Sequence, residues 1–265
     1  MISSISNGQL KNLIQLQKKA KVREEQDVFV VEGIKMYEEV PREKLVKVYV
    51  SESFYNNVSN NSHLDAQDYF KGIEYEVVKD SVFKEVSDTM TPQGIMAVVK
   101  RQHYTLTDIL THQTANLVFL EDLRDPGNLG TIFRTAEGAG VTGIILSKSS
   151  VDIYNPKVIR STMGSIYRMP YVYVEEIGKA IIEGKEQGIT LYAAHLAGSN
   201  DYDKEDYTLR TGILIGNEAN GLSIETTQLA NKLIKIPMEG KVESLNAAIA
   251  ASILMYEIYR QRRNN

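Results

Sequence analysis

From Asn116 onward the chain carries short apolar runs with no polar alternation: LVFL (117–120), GIIL (143–146), YVYV (171–174), TLYAA (190–194), GILIG (212–216) and KLIKI (232–236). A strand with one solvated face alternates apolar and polar residues, whereas a strand that is apolar throughout needs cover on both faces. Helices packed on both sides of parallel strands give that cover, so this half is expected to be an α/β domain with a mostly parallel sheet. Residues 1–100 read differently. Leu10, Leu13, Ile14 and Leu16 make an amphipathic opening helix, and DVFVVE (27–32), KVYV, IEYEVV and GIMAVV read as strands of a smaller α/β domain. The polar stretch 101–115 holds two of the four histidines and reads as a linker, which sets the expected domains at 1–100 and 116–265.

Composition removes several kinds of chemistry. The absence of cysteine excludes disulfides, thiolate catalysis and Cys-ligated metal, and four scattered histidines without ligand spacing give no metal site. No apolar run approaches the roughly 20 residues that span a bilayer, and the start MISSISNGQLKN has no signal-peptide core, so a cytoplasmic protein is expected. In such a protein the glycosylation pattern Asn57-Val58-Ser59 stays idle. A net charge of -4 argues against a broad nucleic-acid coat. The first 23 residues nevertheless hold Lys11, Lys18, Lys19, Lys21 and Arg23 with no acid, and the C-terminus holds Arg260, Arg262 and Arg263. Because salt confines each charge to roughly 10 Å, such clusters contact phosphates locally or are simply solvated faces.

In a parallel sheet, ligands bind at the carboxyl ends of strands, which draws attention to LEDLRDPGNLGTIFRTAEGAG (120–140). Gly127 and Gly130 are spaced G-x-x-G, no acid ends the strand GIIL, and no Gly-Lys-Ser/Thr follows, so neither the dinucleotide nor the Walker pattern is present. Asp125-Pro126-Gly127-Asn128 suits a type II turn after which Asn128 caps a helix. On that helix Leu129, Ile132, Phe133 and Ala136 form one apolar stripe. Arg134 then lies nearly opposite the stripe and close to Glu137, as an exposed ion-pair partner or as something more. Two later strand ends complete the set: GILIGNEANGLS (212–223), and IPMEGKVESLNAAIAAS (236–252), with a helix expected from Ser244.

Together these three segments resemble the motifs of the SpoU (TrmH-like) RNA ribose 2′-O-methyltransferases of the SPOUT superfamily, and NPKVIRSTMGSIYRMP resembles the family's intervening segment. FVVEGIKMYEEV followed by TPQGIMAVV is similar to the L30e-like substrate-binding domain that often precedes the catalytic one. The resemblance implies a C-terminal α/β-knot, a deep trefoil that is an exception to the rule against knotted chains. It also implies S-adenosyl-L-methionine as cofactor with no metal, RNA as substrate (ribosomal first, transfer second) and a homodimer. The cofactor's adenine would be held by backbone groups of Gly216, Ile236 and Leu245, with Met238 nearby. Arg134 would act at the 2′-hydroxyl. A guanidinium is a poor proton acceptor, so stabilising the developing alkoxide or gripping a neighbouring phosphate fits it better. Asn128, Glu218, Ser244 and Asn246 match further functional positions: Glu218 would orient polar groups or Arg134, and Ser244 and Asn246 would position substrate and cofactor. Each has an ordinary alternative, Asn128 and Ser244 as helix caps, Glu218 as a solvated turn residue, Asn246 as a first-turn polar residue. His195, after TLYAA, is read as a loop residue facing the cofactor region. Methylation of a base nitrogen and RNA binding without methylation are the competing functions; the NEANGLS and ESLN pattern favours ribose.

Overall fold

The structure, a computed structural model, describes residues 1–61, 69–196, 198–242 and 244–263. They form two compact units, and the first is assembled from two separate stretches, Met1–Gln102 and Tyr154–Tyr167.

The sheet of the first unit contains β1 (Val28–Glu32), β2 (Leu45–Ser51), β3 (Tyr75–Val78) and β4 (Ile95–Lys100) in the order β1-β4-β2-β3. β4 runs antiparallel to β1 and β2, and β3 runs parallel to β2. Leu10, Leu13 and Leu16 of the opening helix, Gly8–Lys18, are buried against Val28, Val30 and Met96, as their spacing requires. Arg23 is buried too. Its Nη1 donates to the carbonyls of Leu16 at 2.7 Å and Gln17 at 3.2 Å, closing the end of that helix, so this member of the basic N-terminal cluster is structural. The Tyr154–Tyr167 stretch, expected within the catalytic half, packs here instead. The Tyr154 ring lies 4.6 Å from that of Phe29, Tyr167 Oη donates to the Met36 carbonyl at 2.8 Å, and Arg160 pairs with Asp88 at 2.7 Å.

The second unit holds β5 (Asn116–Leu120), β6 (Gly143–Ser147), β7 (Tyr171–Val174), β8 (Thr190–Ala194), β9 (Asn200–Asp201), β10 (Thr211–Ile215) and β11 (Lys232–Lys235). Their order is β7-β6-β5-β10-β8-β11-β9, and every neighbouring pair is parallel. β5, β6 and β10 are buried at every position, which is the two-faced cover their composition demands. The stretch read as a linker contributes to this core. Thr105 and Asp108 form a reciprocal capping box on the helix Leu106–Leu110, whose Ile109 and Leu110 pack with Leu117 and Phe119. Among the described residues no helix is long and apolar enough to cross a membrane.

Candidate active site

β5, β10 and β11 deliver their carboxyl ends to one side of the second unit, and the loops that follow them meet there. After β5 the backbone reaches Asp125, whose side chain accepts from the Asn128 N–H at 2.7 Å and caps the helix Pro126–Gly138, with Pro126 in its first turn. The sequence points to a type II turn with Asn128 as the cap; the helix starts a full turn earlier. Pro at the first helical position and Asp just before it satisfy the helix end, and Gly127 is left with an ordinary negative φ. This shift sets Asn128 inside the first turn, where its side chain is free for other work.

That work is a one-way chain of hydrogen bonds. Asn128 Nδ2 donates to Glu218 Oε1 at 3.0 Å, and Asn128 Oδ1 accepts from Asn246 Nδ2 at 2.9 Å. Asn246 Oδ1 in turn accepts the Ala248 and Ile249 N–H groups at 2.9 and 3.3 Å, capping the helix Ala247–Arg262. Asn246, rather than Ser244, is therefore the cap. With its oxygen committed to the helix, only its NH₂ can face Asn128, and the orientation of both amides follows. Glu218 closes the chain by accepting the Arg124 and Asp125 N–H groups at 3.2 and 3.0 Å. Burial pushes the Glu218 carboxyl up, but the bonds from Asn128 and from the backbone N–H groups of Asp125, Glu218 and Arg124 outweigh it and hold the group below its ordinary value.

The β10 loop needs a glycine at its first position. Asn217 and Gly221 exchange backbone hydrogen bonds at 3.0 and 2.9 Å, so the loop doubles back on Gly216, and a Cβ there would lie 2.1 Å from the Gly221 carbonyl carbon. Asn217 holds the turn from inside by accepting the Ala219 N–H and donating to the Asp122 carbonyl. Glu121 holds it from below, accepting from Ser223 Oγ and Thr226 Oγ1 at 2.8 and 2.6 Å. Neither residue stood out in the sequence, because each is an ordinary polar residue whose partner lies about a hundred positions away.

Under these loops is a cavity of about 360 Å³ lined by strand-end and loop residues, among them Gly216, Glu218, Ile236, Met238, Ser244 and Leu245. His195 lines it as well. Its walls combine apolar side chains (Ile215, Leu222, Ile234, Ala250) with backbone groups at Met238, Ser244 and Leu245 that have no hydrogen-bond partner among the described residues. An apolar slot edged by free N–H and C=O groups suits a purine, which stacks on the walls and bonds along its edge. Arg134 does not line the cavity. It is exposed on the Pro126–Gly138 helix and makes no hydrogen bond or ion pair among the described residues, and Glu137, its expected companion, pairs with Arg168 instead. The structure thus joins Asn128, Glu218 and Asn246 directly, sets Gly216, Ile236, Met238, Ser244 and Leu245 around the cavity, and leaves Arg134 available. Among the described residues no cluster of His, Asp or Glu could hold a metal ion.

A purine-sized slot at the carboxyl ends of parallel strands, edged by a polar chain, defines an α/β protein that binds a nucleoside-like group. Residues 115–256 match the SpoU rRNA Methylase family, and residues 7–97 match the MRM3-like substrate binding domain. The chain belongs to the SpoU rRNA Methylase family and is a methyltransferase. It is 30% identical to the 23S rRNA (guanosine(2553)-2′-O)-methyltransferase RlmP of Bacillus subtilis, across 97% of this chain and 98% of that one. It is 34% identical to the human mitochondrial rRNA methyltransferase 3, covering 74% of this chain and 60% of the human protein. The AdoMet-bound rRNA methyltransferase from Sinorhizobium meliloti superposes with a TM-score of 0.83 at 30% identity, covering 98% of this chain and 97% of the other. The SpoU methyltransferase AviRb from Streptomyces viridochromogenes, in complex with AdoMet, gives 0.81 at 26% identity over 98% and 100% of the two chains.

Proposed function

We propose that this protein methylates a ribose 2′-hydroxyl in ribosomal RNA, using S-adenosyl-L-methionine bound in the strand-end cavity. The observation that carries this reading is the Glu218–Asn128–Asn246 chain, which ties all three strand-end loops together beside a slot fit for adenine. Bound there, the cofactor would supply a methyl group on a sulfonium; transfer to the 2′-oxygen would break the S–C bond, form an O–C bond and pass the hydroxyl proton to water. Gly216, Ile236, Met238 and Leu245 hold the adenosyl part, and Ser244 and Asn246 hold the ribose in line. Arg134, an exposed guanidinium with no hydrogen bond or ion pair among the described residues, stabilises the alkoxide as the proton leaves, or grips the adjoining phosphate. Asn128 and Glu218 keep these loops in register.

Further parts of this reading concern the whole protein. The first unit presents the RNA, in keeping with its match to a substrate-binding domain. The chain after β11 threads a loop of the second unit to make the trefoil knot; the placement of β10 between β5 and β8 and the return of the last helix onto Pro126–Gly138 support this. Two copies pair through the last helix, where Ile249 and Tyr256 are 53% and 50% exposed, and the enzyme works in the cytoplasm. Mapping 2′-O-methylated nucleotides in total RNA with and without the protein tests the assignment. One ribosomal position is expected to lose its methyl group in the protein's absence, and an unchanged ribosomal map with a lost transfer-RNA or base methylation would overturn it.

A further inference from the structure

The loop that supports Glu218 carries a charged side chain that the reaction above does not use. Asp122 sits at φ 54°, in the left-handed region that residues with a side chain seldom enter. It is fixed there from two directions: its N–H donates to Ser147 Oγ at 2.8 Å, and its carbonyl accepts from Asn217 Nδ2 at 2.7 Å. So placed, its carboxylate faces Arg124, with Oδ1 accepting from Nε at 3.0 Å and Oδ2 at 3.0 Å from Nη2. The Arg124 side chain remains 71% exposed. Its backbone N–H donates to Glu218 Oε2, so the guanidinium springs from the residue that anchors the cavity rim.

The Asp122 backbone ties this loop to Ser147 and Asn217, whereas its carboxylate is spent on holding a long side chain that points into solvent. Ordering a free arginine on a ligand costs rotamer entropy, and here the clamp on one edge has already ordered it. The clamp leaves Nη1 and the end of the fork without a partner among the described residues. Two kinds of RNA group could meet that end. A phosphate calls for net positive charge, yet Asp122 balances Arg124, and Asp125 and Glu218 stand beside it. A pair of neutral acceptors needs only two parallel N–H groups held in plane, and guanine O6 and N7 are the acceptors arginine meets most often in that manner. In RNA such an edge is open on an unstacked base, the state that access to its ribose favours.

We propose that Arg124 is a specificity-determining residue that reads the O6/N7 edge of a guanine at, or adjacent to, the methylated nucleotide; this rests on the ribose methylation proposed above. Asp122 is the positioning residue that keeps the fork in plane. The test compares two transcripts of the large ribosomal RNA, one ordinary and one made with 7-deazaguanosine, which keeps Watson–Crick pairing and lacks the N7 acceptor. Wild-type enzyme is expected to lose about tenfold in kcat/KM on the 7-deaza transcript. Arg124→Ala and Arg124→Lys are expected to be slow on both transcripts and to discriminate between them less than twofold, with S-adenosylmethionine affinity and melting temperature unchanged. Equal use of both transcripts by the wild type would overturn the proposal, and so would full discrimination surviving in Arg124→Ala, which would trace the effect to RNA folding. An equal loss on both transcripts with a salt slope shallower by about one would make the contact a phosphate, again overturning it. No transfer to either transcript by the wild type would instead defeat the ribose methylation reading, and this inference with it.

Discussion

At the residue scale the site depends on the direction of its hydrogen bonds. Asn128 and Asn246 each use both ends of an amide, so the chain from the last helix to Glu218 has a fixed polarity. Glu218 accepts from Asn128 Nδ2 and from two backbone N–H groups at once, and these bonds favour its ionised form. Its carboxyl lies below the ordinary value of 4.5, so the stability it contributes is complete above about that pH and is lost as pH falls through the lower, folded value. Hydrogen exchange at the Arg124 and Asp125 amides, corrected for the intrinsic rate, is accordingly expected to quicken in acid, and Glu218→Gln to abolish this pH dependence. Protection that is flat in the wild type down to about pH 3 would contradict the assignment. The family resemblance singles out Asn128, Glu218 and Asn246, but the bonds that join them have no local signal in the sequence. Asn, Glu and Asn are common turn and cap residues, and what makes them a unit is a span of 118 positions between Asn128 and Asn246.

At the scale of elements much more was legible. The apolar runs from Asn116 onward mark β5 to β8, β10 and β11; in β5, β6 and β10 the cause is full cover on both faces, whereas β7 and β11 are only partly buried. The stripe of Leu129, Ile132, Phe133 and Ala136 is buried in full for the same kind of reason. Helix starts were harder. Asp-Pro at 125–126 and Thr-x-x-Asp at 105–108 are local capping signals, yet each competes with a turn reading that only the surrounding packing decides. The placement of Tyr154–Tyr167 in the first unit has no local signal, since it rests on contacts with Phe29 and Met36, more than a hundred positions away. The Asn217–Gly221 turn is the element with least tolerance. Gly216→Ala would force the Gly221 backbone away from a contact of 2.1 Å. It is expected to cost about 1–3 kcal/mol by overpacking and to weaken S-adenosylmethionine binding together with stability. Calorimetric titration and thermal melting check this, and wild-type values for both would show that the turn does not shape the cavity.

At the scale of the whole molecule, the proposed pairing of two copies rests on the last helix. Ile249, Tyr256 and Tyr259 are exposed along one side of a helix that buries Ala248, Ala251, Leu254, Met255 and Ile258. Ile249→Asp combined with Tyr256→Asp is expected to give a folded monomer in sedimentation analysis, and a dimer that survives both charges would place the interface elsewhere. The claim on which the rest depends is that Arg134, which has no partner among the described residues, acts at the reacting oxygen beside a cofactor it does not bind. The direct test is single-turnover transfer of labelled methyl from S-adenosylmethionine to unmodified ribosomal RNA by Arg134→Ala, with cofactor affinity measured on the same protein. The expected result is a rate lower by about 100- to 1000-fold with cofactor affinity unchanged. A rate equal to the wild type would contradict it.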